Sequence, residues 1–388
     1  MKLIFSRNNP WWDDPDFRPE ALDRPSVMEG LAASLTTRDI VFLTGLRRIG
    51  KSTLLKLLIR RLISEEGVKP QNIFYISLDD YLLAKYNILE LTKEFRKING
   101  LTFSEKVYFF FDEVAYQKDY QQQLKNLYDS QNVKVFASTS QSSLIKGDKA
   151  FITGRAKVIE VLPLDFSEYL DFKRIKLKPE DQHLAEYHFE QYLNTGGVPE
   201  YVLRADPEYL KELVDDIVMK DIAAHYGVRD TVLLKEFLLL LMERSGERYS
   251  INKLANILKL SPDTAKRYLQ YFTESYLIHL VSRYGKTNEK LLAPKKIYAA
   301  DLGIRTLFTG FRDKGSLFEN YVFLKLKQKE PFYIYEEGLE IDFITRDKKV
   351  YEVKYLSEAE GKQLEFLNKL PYAEKYIIKN VEDTYRYL

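Results

Sequence analysis

Short apolar runs alternate with helical segments over the first part of the chain. Each run is bounded by turn residues and has the length of a buried strand, and the segments between the runs carry apolar residues at helical spacing. Strands that alternate with helices predict a parallel sheet with helices on both faces. Residues 1–25, which are polar and contain prolines, are predicted to be irregular. The predicted strands are 39–44, 72–78, 106–112, 133–137 and 156–162, and the predicted helices are 53–63, 89–98 and 120–129.

The pattern changes after Pro163 and twice more toward the end of the chain. Residues 166–245 have helical periodicity, interrupted near Gly196. Two short helices follow, joined by a turn, with Ser261 as the N-cap of the second and a strand after it, an order that suggests a winged-helix fold. The last part has the order helix, three strands, helix, strand. The predicted helices are 251–258, 262–276, 317–328 and 359–369, and the strands are 277–284, 331–335, 340–345, 350–354 and 375–378.

Composition excludes several kinds of chemistry. The 388 residues include no cysteine, so disulfides, cysteine-ligated zinc and thiol catalysis are excluded, and four scattered histidines argue against a histidine metal site. The formal net charge of +2 gives no global attraction to nucleic acid. No apolar stretch is long enough to span a membrane and the N-terminus lacks a secretory core, so we expect a cytoplasmic protein. Abundant Lys and Glu without Cys is compatible with an archaeal hyperthermophile.

The strongest motif is GLRRIGKS at residues 45–52, which matches the P-loop pattern G-x-x-x-x-G-K-[ST]. Its glycines let backbone N–H groups face phosphate oxygens, and the following helix adds its positive dipole end. Lys51 would reach the β and γ phosphates of ATP, and the Ser52 hydroxyl would ligate Mg²⁺. The predicted ATP-binding residues are Gly45, Leu46, Arg47, Arg48, Ile49, Gly50, Lys51, Ser52 and Thr53.

Two further strands end in polar residues that suit the same chemistry. The run VYFFFDE at 107–113 places Asp112 to hold Mg²⁺ and Glu113 to act as the general base on the attacking water. The run VKVFASTS at 133–140 ends in hydroxyl groups that could orient that water. The pattern does not choose among Ser138, Thr139 and Ser140, and Thr139 is retained as the candidate ATP-site residue.

A second constellation of charged residues lies near the C-terminus. Asp342 at a strand start, followed by Glu352 and Lys354 on the next strand, is the arrangement of the PD-(D/E)xK nucleases. Alternation puts Glu352 and Lys354 on one face, where Asp342 and Glu352 could share Mg²⁺ with Lys354 near the nucleophilic water. Glu319 and Gln363 stand where that fold supplies accessory residues. The other interpretation is a hairpin with solvated charges, and a preserved fold without cleavage activity stays open.

The helix–turn–helix carries a local basic surface. Lys259, Lys266 and Arg267 lie on or beside its second helix, and this charge is of the kind that contacts DNA phosphates. Winged helices also bind proteins, and a charged run is often only a solvated face, so DNA binding is one of two interpretations. Further cations continue this predicted basic surface along the chain: Arg283, Lys286, Lys290, Lys295 and Lys296.

Five motifs carry a resemblance to a known family. They are GLRRIGKSTLL at 45–55, FFFDE at 109–113, TGR at 153–155, LPLDFSEYL at 162–170 and GGVPEYV at 196–202. The chain resembles the P-loop ATPases of the AAA+ and signal-transduction (STAND) group, common in archaea and bacteria, and within it the subgroup with a C-terminal nuclease-like domain. The first two motifs are shared by P-loop ATPases in general, whereas the other three point to the subgroup.

The resemblance implies a further residue for phosphoryl transfer. In such ATPases an arginine neutralises charge on the transferring phosphoryl group, in cis or from a neighbouring subunit. Arg155 in TGR is the candidate, Arg47 and Arg48 are alternatives, and each of them could instead be a surface or ion-paired arginine. Relatives that form rings complete their sites in this way, so a homo-oligomer, either a ring or a dimer, is a possible state.

The motifs combine into one predicted organisation and three functional hypotheses. The fold class is α/β, with a P-loop NTPase sheet in residues 1–165, a helical lid or linker in 166–245, a winged helix in 246–300 and a small restriction-endonuclease-like α/β domain in 301–388. The first hypothesis is a Mg²⁺-dependent ATPase that couples ATP binding and hydrolysis to engagement of duplex or branched DNA. The alternatives are an ATP-dependent regulatory switch that binds a protein, and an ATP-gated DNA nuclease.

Overall fold

The structure is a computed structural model that describes residues 1–14, 16–141 and 154–388. The chain divides into two compact units, Met1–Val161 and Leu162–Leu388. The first unit ends four residues before the predicted boundary at 165, and the finer division into four domains stays a prediction. Within the described ranges, no helix combines the length and the apolar character needed to cross a membrane.

The first unit is built on a parallel sheet of five strands, as the sequence predicts. The spatial order is β2-β3-β4-β1-β5, so β4 lies between β1 and β3, and Thr44 at the end of β1 pairs with Thr139 at the end of β4. The C-terminal ends of these three central strands therefore meet at one edge of the sheet. The strands are β1 (Ile40–Thr44), β2 (Ile73–Ser77), β3 (Val107–Asp112), β4 (Val133–Thr139) and β5 (Ala156–Glu160).

Helices cover this sheet because their apolar residues repeat at helical spacing. In the helix after the P-loop, Leu54, Leu55, Leu58 and Leu62 are buried, as the periodicity predicts. Aromatic rings fill one layer of the core, and Phe74 and Phe95 stack with their ring centroids 4.7 Å apart. The helices of this unit are α1 (Lys2–Asn8), α2 (Pro25–Ala33), α3 (Lys51–Ser64), α4 (Ile88–Ile98) and α5 (Tyr120–Ser130).

The N-terminal segment begins with a helix, Lys2–Asn8, and a 3-10 turn, Pro10–Trp12, so the prediction that residues 1–25 are irregular is wrong for this part; the described residues between Trp12 and Pro25 are irregular, as predicted. After α1, the fully buried side-chain amide of Asn9 accepts from the backbone N–H of Tyr75 at 2.6 Å and donates to the carbonyl of Tyr75 at 2.8 Å. The indole N–H of Trp12 donates to the carbonyl of Ile73 at 2.9 Å. The segment therefore satisfies backbone groups along β2, the edge strand of the sheet.

The second unit begins with helices, as predicted for residues 166–245. The helix from Pro207 to Asp216 continues into a π-helical stretch, Ile217–Ala223, before a final short turn. The helices here are α6 (Phe166–Phe172), α7 (Ala185–Thr195), α8 (Pro199–Arg204), α9 (Pro207–Asp216), α10 (Ala224–Tyr226) and α11 (Thr231–Glu243).

Two motifs of the subgroup resemblance pack against each other in this unit. A Cβ on Gly197 would lie 2.2 Å from the carbonyl oxygen of Leu164, so no side chain fits there. Asp301 is fully buried and accepts from the backbone N–H of Gly197 at 2.7 Å and of Ile304 at 2.9 Å. The GGVPEYV segment is therefore in close backbone contact with LPLDFSEYL at Gly197, and a Cβ on Gly196 would lie 2.3 Å from the backbone nitrogen of Gly303.

A helix–turn–helix and a three-stranded antiparallel sheet follow. Ser261 caps the second helix by accepting from the backbone N–H of Thr264, as predicted. The sheet order is β6-β8-β7, and β8 was not among the predicted strands because a pair of lysines opens it. The elements are β6 (Arg248–Tyr249), α12 (Ile251–Ile257), α13 (Pro262–Glu274), β7 (Ile278–Val281), α14 (Thr287–Leu292) and β8 (Lys295–Ala299).

The chain ends in a four-stranded mixed sheet in the order β12-β11-β10-β9. β9, β10 and β11 are antiparallel neighbours, and β12 returns parallel to β11 after a crossover helix. This is the predicted order of helix, three strands, helix and strand. The elements are α15 (Leu302–Thr309), α16 (Lys314–Leu326), β9 (Phe332–Glu336), β10 (Leu339–Ile344), β11 (Val350–Val353), α17 (Gly361–Lys369), β12 (Lys375–Ile378) and α18 (Val381–Tyr387).

Candidate functional site

The P-loop connects the end of β1 to the first residue of α3. Its backbone is left-handed at Arg48, with φ of 59°, and at Gly50, with φ of 94°. A Cβ on Gly45 would lie 2.4 Å from the carbonyl oxygen of Val161, so only glycine fits. α3 starts at Lys51, directly after this turn, so the positive end of the helix dipole lies beside the loop. The loop has the backbone shape that a phosphate cradle needs.

Lys51 is the charged centre of the loop. Its side chain is buried, and its ammonium group donates to the carbonyl oxygens of Gly45 at 3.1 Å and Leu46 at 3.0 Å. A third bond joins it to the hydroxyl of Ser140 at 3.0 Å. These contacts hold the ammonium group over the loop, where a phosphate would sit.

Asp112 and Glu113 follow at the end of β3, on the strand separated from β1 by β4 alone. Asp112 is buried, and its two carboxylate oxygens accept from the hydroxyls of Tyr75, at 2.7 Å, and Ser138. Glu113 is partly exposed and adopts a left-handed backbone with φ of 51°, and its N–H donates to Ser138 at 2.9 Å. Ser138 therefore fixes the backbone turn that separates the two acids.

Ser140 joins the two predicted catalytic residues. Its hydroxyl donates to the Glu113 carboxylate at 2.8 Å and lies 3.0 Å from the Lys51 ammonium group. Thr139 points elsewhere, because its hydroxyl accepts from the backbone N–H of Gln141 at 3.2 Å. Of the three hydroxyl residues that the sequence left open, Ser140 is the one between Lys51 and Glu113, and Thr139, the retained candidate, does not contact either of them.

Tyr75 is the main residue that sequence reasoning missed at this site. Burial and the neighbouring Asp112 carboxylate raise the pKa of its phenol far above the ordinary value, so it stays a neutral donor. Its hydroxyl is also within hydrogen-bond reach of Ser52. Tyr75 therefore lies between the two residues predicted to hold Mg²⁺. The available signal was a phenol within a strand that is otherwise apolar and buried.

The three candidate arginines occupy different places. Arg47 and Arg48 are in the P-loop, the first half-buried and the second exposed. Arg155 precedes β5, and its carbonyl accepts from the N–H of Ile40 at the start of β1, which is the opposite edge of the sheet from the P-loop. Its guanidinium group pairs with Asp129 at 3.1 Å. Arg155 thus does not join the site within one chain, and a role in trans stays a prediction. Thr153 of the same motif lies outside the described residues.

The C-terminal constellation does come together in the second unit. Four carboxylates, which we call the acidic cluster, lie on α16, β10 and β11: Glu319, Glu340, Asp342 and Glu352. Lys354 pairs with Glu352 at 2.7 Å, and the amide of Gln363 donates to the same carboxylate at 2.9 Å. Asp342 accepts from the backbone N–H of Val353 at 2.9 Å.

One cation of the predicted basic surface belongs instead to the acidic cluster. Lys296 is 1% exposed, and its ammonium group contacts Glu319 at 2.7 Å, Glu340 at 2.8 Å and Asp342 at 3.3 Å. The prediction that this lysine faces DNA phosphates is therefore wrong. Sequence reasoning missed it because its three partners lie far along the chain.

Burial affects two acids of the cluster strongly. Burial, partly offset by the nearby Lys296, raises the pKa of Glu319 to about 7. Burial and the Asp342 charge raise the pKa of Glu352 to about 7, although Lys354 opposes the shift. One oxygen of Glu352 is buried without a hydrogen-bond partner. The cluster is thus a low-dielectric site in which added negative charge is strongly disfavoured.

Other basic residues do lie on the surface of the second unit. Lys259, Lys266 and Arg267 are exposed on and beside α13. A separate cleft of about 620 Å³ has cationic and aromatic walls and no acidic residue. Lys290 lies 4.6 Å from the centre of the Phe332 ring, and Lys348 lies 4.4 Å from that of Tyr284. The lining residues are Tyr284, Gly285, Lys286, Lys290, Phe332, Arg346 and Lys348.

Comparison with known proteins connects the sequence to relatives of unassigned function. The chain is 29% identical over 362 residues to Uncharacterized protein MJ1544 of Methanocaldococcus jannaschii, covering 87% of this chain and 80% of that protein. It is 28% identical over 359 residues to an Uncharacterized protein of Haemophilus influenzae, covering 87% and 86%.

Two solved structures align weakly with this chain. The Aeropyrum pernix ORC1 protein in complex with DNA aligns with 12% identity and a TM-score of 0.32, over 77% of this chain and 95% of that chain. Closed-state Hsp104 with ATPγS and FITC casein aligns with 20% identity and a TM-score of 0.35. The alignment covers 57% of this chain and 42% of the Hsp104 chain. At these TM-scores neither likeness carries an argument about function.

Family models match two segments of the chain. Residues 186–315 match a model described as a Domain of unknown function (DUF8612). Residues 37–170 match a model described as an AAA domain, and this segment contains the P-loop, Asp112, Glu113 and β4. The family model and the parallel sheet together support an AAA-type P-loop ATPase domain over residues 37–170.

Proposed function

We propose that this protein is a Mg²⁺-dependent ATPase. The observation that carries the proposal is the continuous contact from Lys51 through Ser140 to Glu113, at 3.0 and 2.8 Å. It places a phosphate-binding cation and a candidate base on either side of one hydroxyl group, beside a loop shaped for phosphate. This is the arrangement that hydrolysis of a terminal phosphoanhydride requires.

The residues near the loop also fit the metal ion that accompanies ATP. Ser52 and Asp112 offer a hydroxyl and a carboxylate, which are hard oxygen ligands of the type that Mg²⁺ prefers. The Tyr75 hydroxyl donates a hydrogen bond to Asp112 at 2.7 Å and so orients this carboxylate. Mg²⁺ held here would supply positive charge against the β and γ phosphates.

Each residue then has a defined task in hydrolysis. Lys51 exchanges its contacts with the Gly45 and Leu46 carbonyls for phosphate oxygens. Glu113 accepts a proton from the attacking water while the water oxygen bonds to the γ-phosphorus. The bond between the γ-phosphorus and the β–γ bridging oxygen breaks, which gives ADP and phosphate. The Ser140 hydroxyl holds the carboxylate of Glu113 on the loop side of the sheet until that moment.

Two substitutions separate nucleotide binding from hydrolysis. Lys51→Ala should weaken ATP binding by about tenfold to a hundredfold, because it removes charge-assisted bonds worth roughly 1.5–3 kcal/mol. Glu113→Gln should bind ATP normally and lower kcat by about a hundredfold or more, because it removes the base. Fluorescent-nucleotide binding and phosphate release measure the two effects. Lys97→Ala and Glu94→Gln, on α4 of the same unit, serve as controls, and unchanged turnover in Glu113→Gln would disprove the assigned base.

We further propose that the second unit engages DNA, as a partner of the ATPase. The observation that favours it is the exposed cationic set on and beside α13 together with the basic, aromatic-walled cleft, since lysines neutralise phosphates and aromatic rings stack on bases. The order of helices and strands from α11 to β8 suits a winged helix. A regulatory switch that binds protein through the same surface is the competing proposal.

Salt dependence distinguishes DNA contacts from a solvated face. Retention of labelled duplex and branched DNA should weaken as salt rises, and Lys266→Ala/Arg267→Ala should reduce the slope of log K against log salt by about 2, roughly 0.9 per lost phosphate contact. Lys93→Ala/Lys97→Ala, which removes exposed charge from α4, should leave the slope unchanged. If no DNA is retained at low salt, and a stoichiometric protein partner is captured, the switch proposal replaces this one.

A further inference from the structure

The acidic cluster brings several buried or partly buried carboxylates together in the second unit. Its carboxylates come from three elements of the second unit, α16, β10 and β11, and they converge although like charges repel. One oxygen of Glu352 is buried without a partner, and that residue is 1% exposed. Such an arrangement is stable only if a positive charge compensates it.

Lys296 supplies that charge from β8. Its ammonium group has three donor positions and makes three contacts with carboxylates, to Glu319, Glu340 and Asp342 at 2.7, 2.8 and 3.3 Å. Burial by itself would lower the pKa of this lysine, but the surrounding carboxylates outweigh burial and raise the pKa well above its ordinary value. Lys296 is therefore a permanent cation at the centre of the cluster.

Other donors engage several further carboxylate oxygens of the cluster. Arg248 of β6 pairs with Glu340 at 2.7 Å, the N–H of Val353 donates to Asp342 at 2.9 Å, and Lys354 pairs with Glu352 at 2.7 Å. The Tyr298 hydroxyl, also on β8, donates to Glu319 at 2.6 Å. Three side-chain cations thus face four carboxylates.

A divalent cation does not fit this arrangement. Mg²⁺ needs oxygen ligands at about 2.0–2.1 Å in near-octahedral geometry. The ammonium group of Lys296 lies within hydrogen-bond distance of both Glu319 and Asp342, two of the residues predicted to form the metal site. Across the part of the chain that the structure describes, no three His, Cys, Asp or Glu side chains are grouped to hold a metal ion. The residues expected to hold Mg²⁺ therefore hold a lysine.

We infer that Lys296 takes the place of the divalent cation in the acidic cluster, so that the C-terminal sheet is a structural module held by ion pairs and not a metal-dependent nuclease. The lysine binds the small antiparallel sheet to the C-terminal sheet by ion pairs. Its removal would leave a buried set of carboxylates without their cation, and this set would then accept Mn²⁺ or Mg²⁺ from solution. The inference does not depend on the ATPase proposal, because the cluster and the P-loop share no residue.

Mn²⁺ binding to the nucleotide-free full chain tests the inference. Wild-type protein and Asp342→Asn should bind the same amount of Mn²⁺, because the wild-type cluster holds none. Lys296→Met should bind one Mn²⁺ per chain that wild type does not bind, and the double variant Lys296→Met/Asp342→Asn should lose it again. Lys295→Met, the neighbouring lysine, is the matched control and should behave like wild type. Electron paramagnetic resonance of free Mn²⁺ gives the bound fraction.

Three outcomes would overturn the inference. The first is stoichiometric Mn²⁺ binding by wild-type protein that Asp342→Asn abolishes. The second is cleavage of labelled DNA by wild-type protein with Mg²⁺ or Mn²⁺ that the same substitution abolishes. The third is a folded Lys296→Met that binds no Mn²⁺, with folding judged by circular dichroism. If Lys296→Met does not fold, the comparison of wild type with Asp342→Asn still decides.

Discussion

The hydroxyl of Ser140 donates to the carboxylate of Glu113 at 2.8 Å, one residue beyond the end of β4. The same hydroxyl lies 3.0 Å from the ammonium group of Lys51. A single small side chain thus sets the distance between the phosphate-binding lysine and the candidate base. Because both partners are charged, the bonds of Ser140 are of the stronger, charge-assisted type.

Replacement of Ser140 should therefore affect turnover more than binding. In Ser140→Ala, Glu113 loses its tether and Lys51 keeps its two carbonyl contacts, so we expect kcat to fall about tenfold, which corresponds to roughly 1.4 kcal/mol, with ATP affinity nearly unchanged. Steady-state phosphate release and nucleotide titration measure the two quantities. Thr139→Val is the matched control, because its hydroxyl contacts only the backbone of Gln141. Equal kcat in Ser140→Ala and wild type would show that the tether has no catalytic role.

The phenol of Tyr75 offers a test of the predicted magnesium residues. Tyr75→Phe removes the bond to Asp112 at 2.7 Å and leaves one buried carboxylate oxygen without a partner. We expect the Mg²⁺ concentration for half-maximal ATPase activity to rise about tenfold, since loss of a hydrogen bond to a metal-ligating carboxylate typically lowers metal affinity by about 10- to 100-fold. Titration of activity with Mg²⁺ at saturating ATP measures it. Tyr81→Phe, which changes an 89% exposed phenol, should leave the curve in place. If the Mg²⁺ titration curve of Tyr75→Phe is the same as that of wild type, Asp112 does not contribute to Mg²⁺ binding.

Arg155 and Arg38 form a matched pair at the edge of the sheet away from the P-loop. Both guanidinium groups lie over the ring of Tyr128, at 5.7 and 4.6 Å from its centre. If Arg155 acts in trans, turnover per chain should rise with protein concentration as chains associate. Arg155→Ala should bind ATP normally but lose this rise, whereas Arg38→Ala should keep it. Turnover measured over a range of protein concentrations, with mass determined in parallel with an ATP analogue, gives the answer. If turnover depends on protein concentration in the same way in both variants and wild type, Arg155 is a surface arginine without a role in hydrolysis.

Asp301 makes the stability of the second unit sensitive to pH. Burial raises its pKa from 3.8 to about 6, although backbone donors such as the N–H of Gly197 oppose the shift. Because the folded state holds the proton more tightly than the unfolded state, the resulting stability is complete below about pH 4 and is lost as pH rises through about 6. Asp301→Asn removes this titration.

The expected signal is a difference between two unfolding curves. The free energy of unfolding of wild type minus that of Asp301→Asn should fall by up to about 3 kcal/mol between pH 4 and pH 7, at 1.36 kcal/mol per pKa unit. Urea unfolding followed by circular dichroism at several pH values measures it. Asp263→Asn, at an exposed acid in the first turn of α13, is the control variant for the substitution itself. A flat difference for Asp301→Asn would mean that its pKa is ordinary.

The sequence predicted the parts of the fold that follow from local periodicity. The strand before the P-loop and the leucines of α3 repeat at the spacing of their elements, so their positions and buried faces were predictable. Strand alternation also predicted that Glu352 and Lys354 share a face, and they pair at 2.7 Å. The position of Asp112 and Glu113 at the same edge of the sheet as the P-loop was also predictable, because both follow an apolar strand of a parallel sheet, while their roles stay predictions.

The remaining features depend on contacts that local pattern does not encode. Three consecutive hydroxyl residues end β4, and alternation does not predict side-chain direction beyond the strand, so Ser140 could not be chosen over Thr139. Lys296 resembled its exposed neighbours because its carboxylate partners lie 23 to 46 residues later in the chain. The helix at Lys2–Asn8 has 7 residues, which is too short for its periodicity to be distinguished from an irregular segment.

The side-chain amide of Asn9 gives the first dozen residues a consequence beyond packing. The amide of Asn9 bonds to both the N–H and the C=O of Tyr75, as a neighbouring strand would. It therefore also fixes the backbone of Tyr75, whose hydroxyl donates to Asp112. A chain trimmed to the segment that matches the AAA domain would expose β2 as an open template for pairing with other molecules, so such a fragment should aggregate. Residues 1–12 thus support the strand that carries Tyr75, and fragments made to test the proposed ATPase activity should include them.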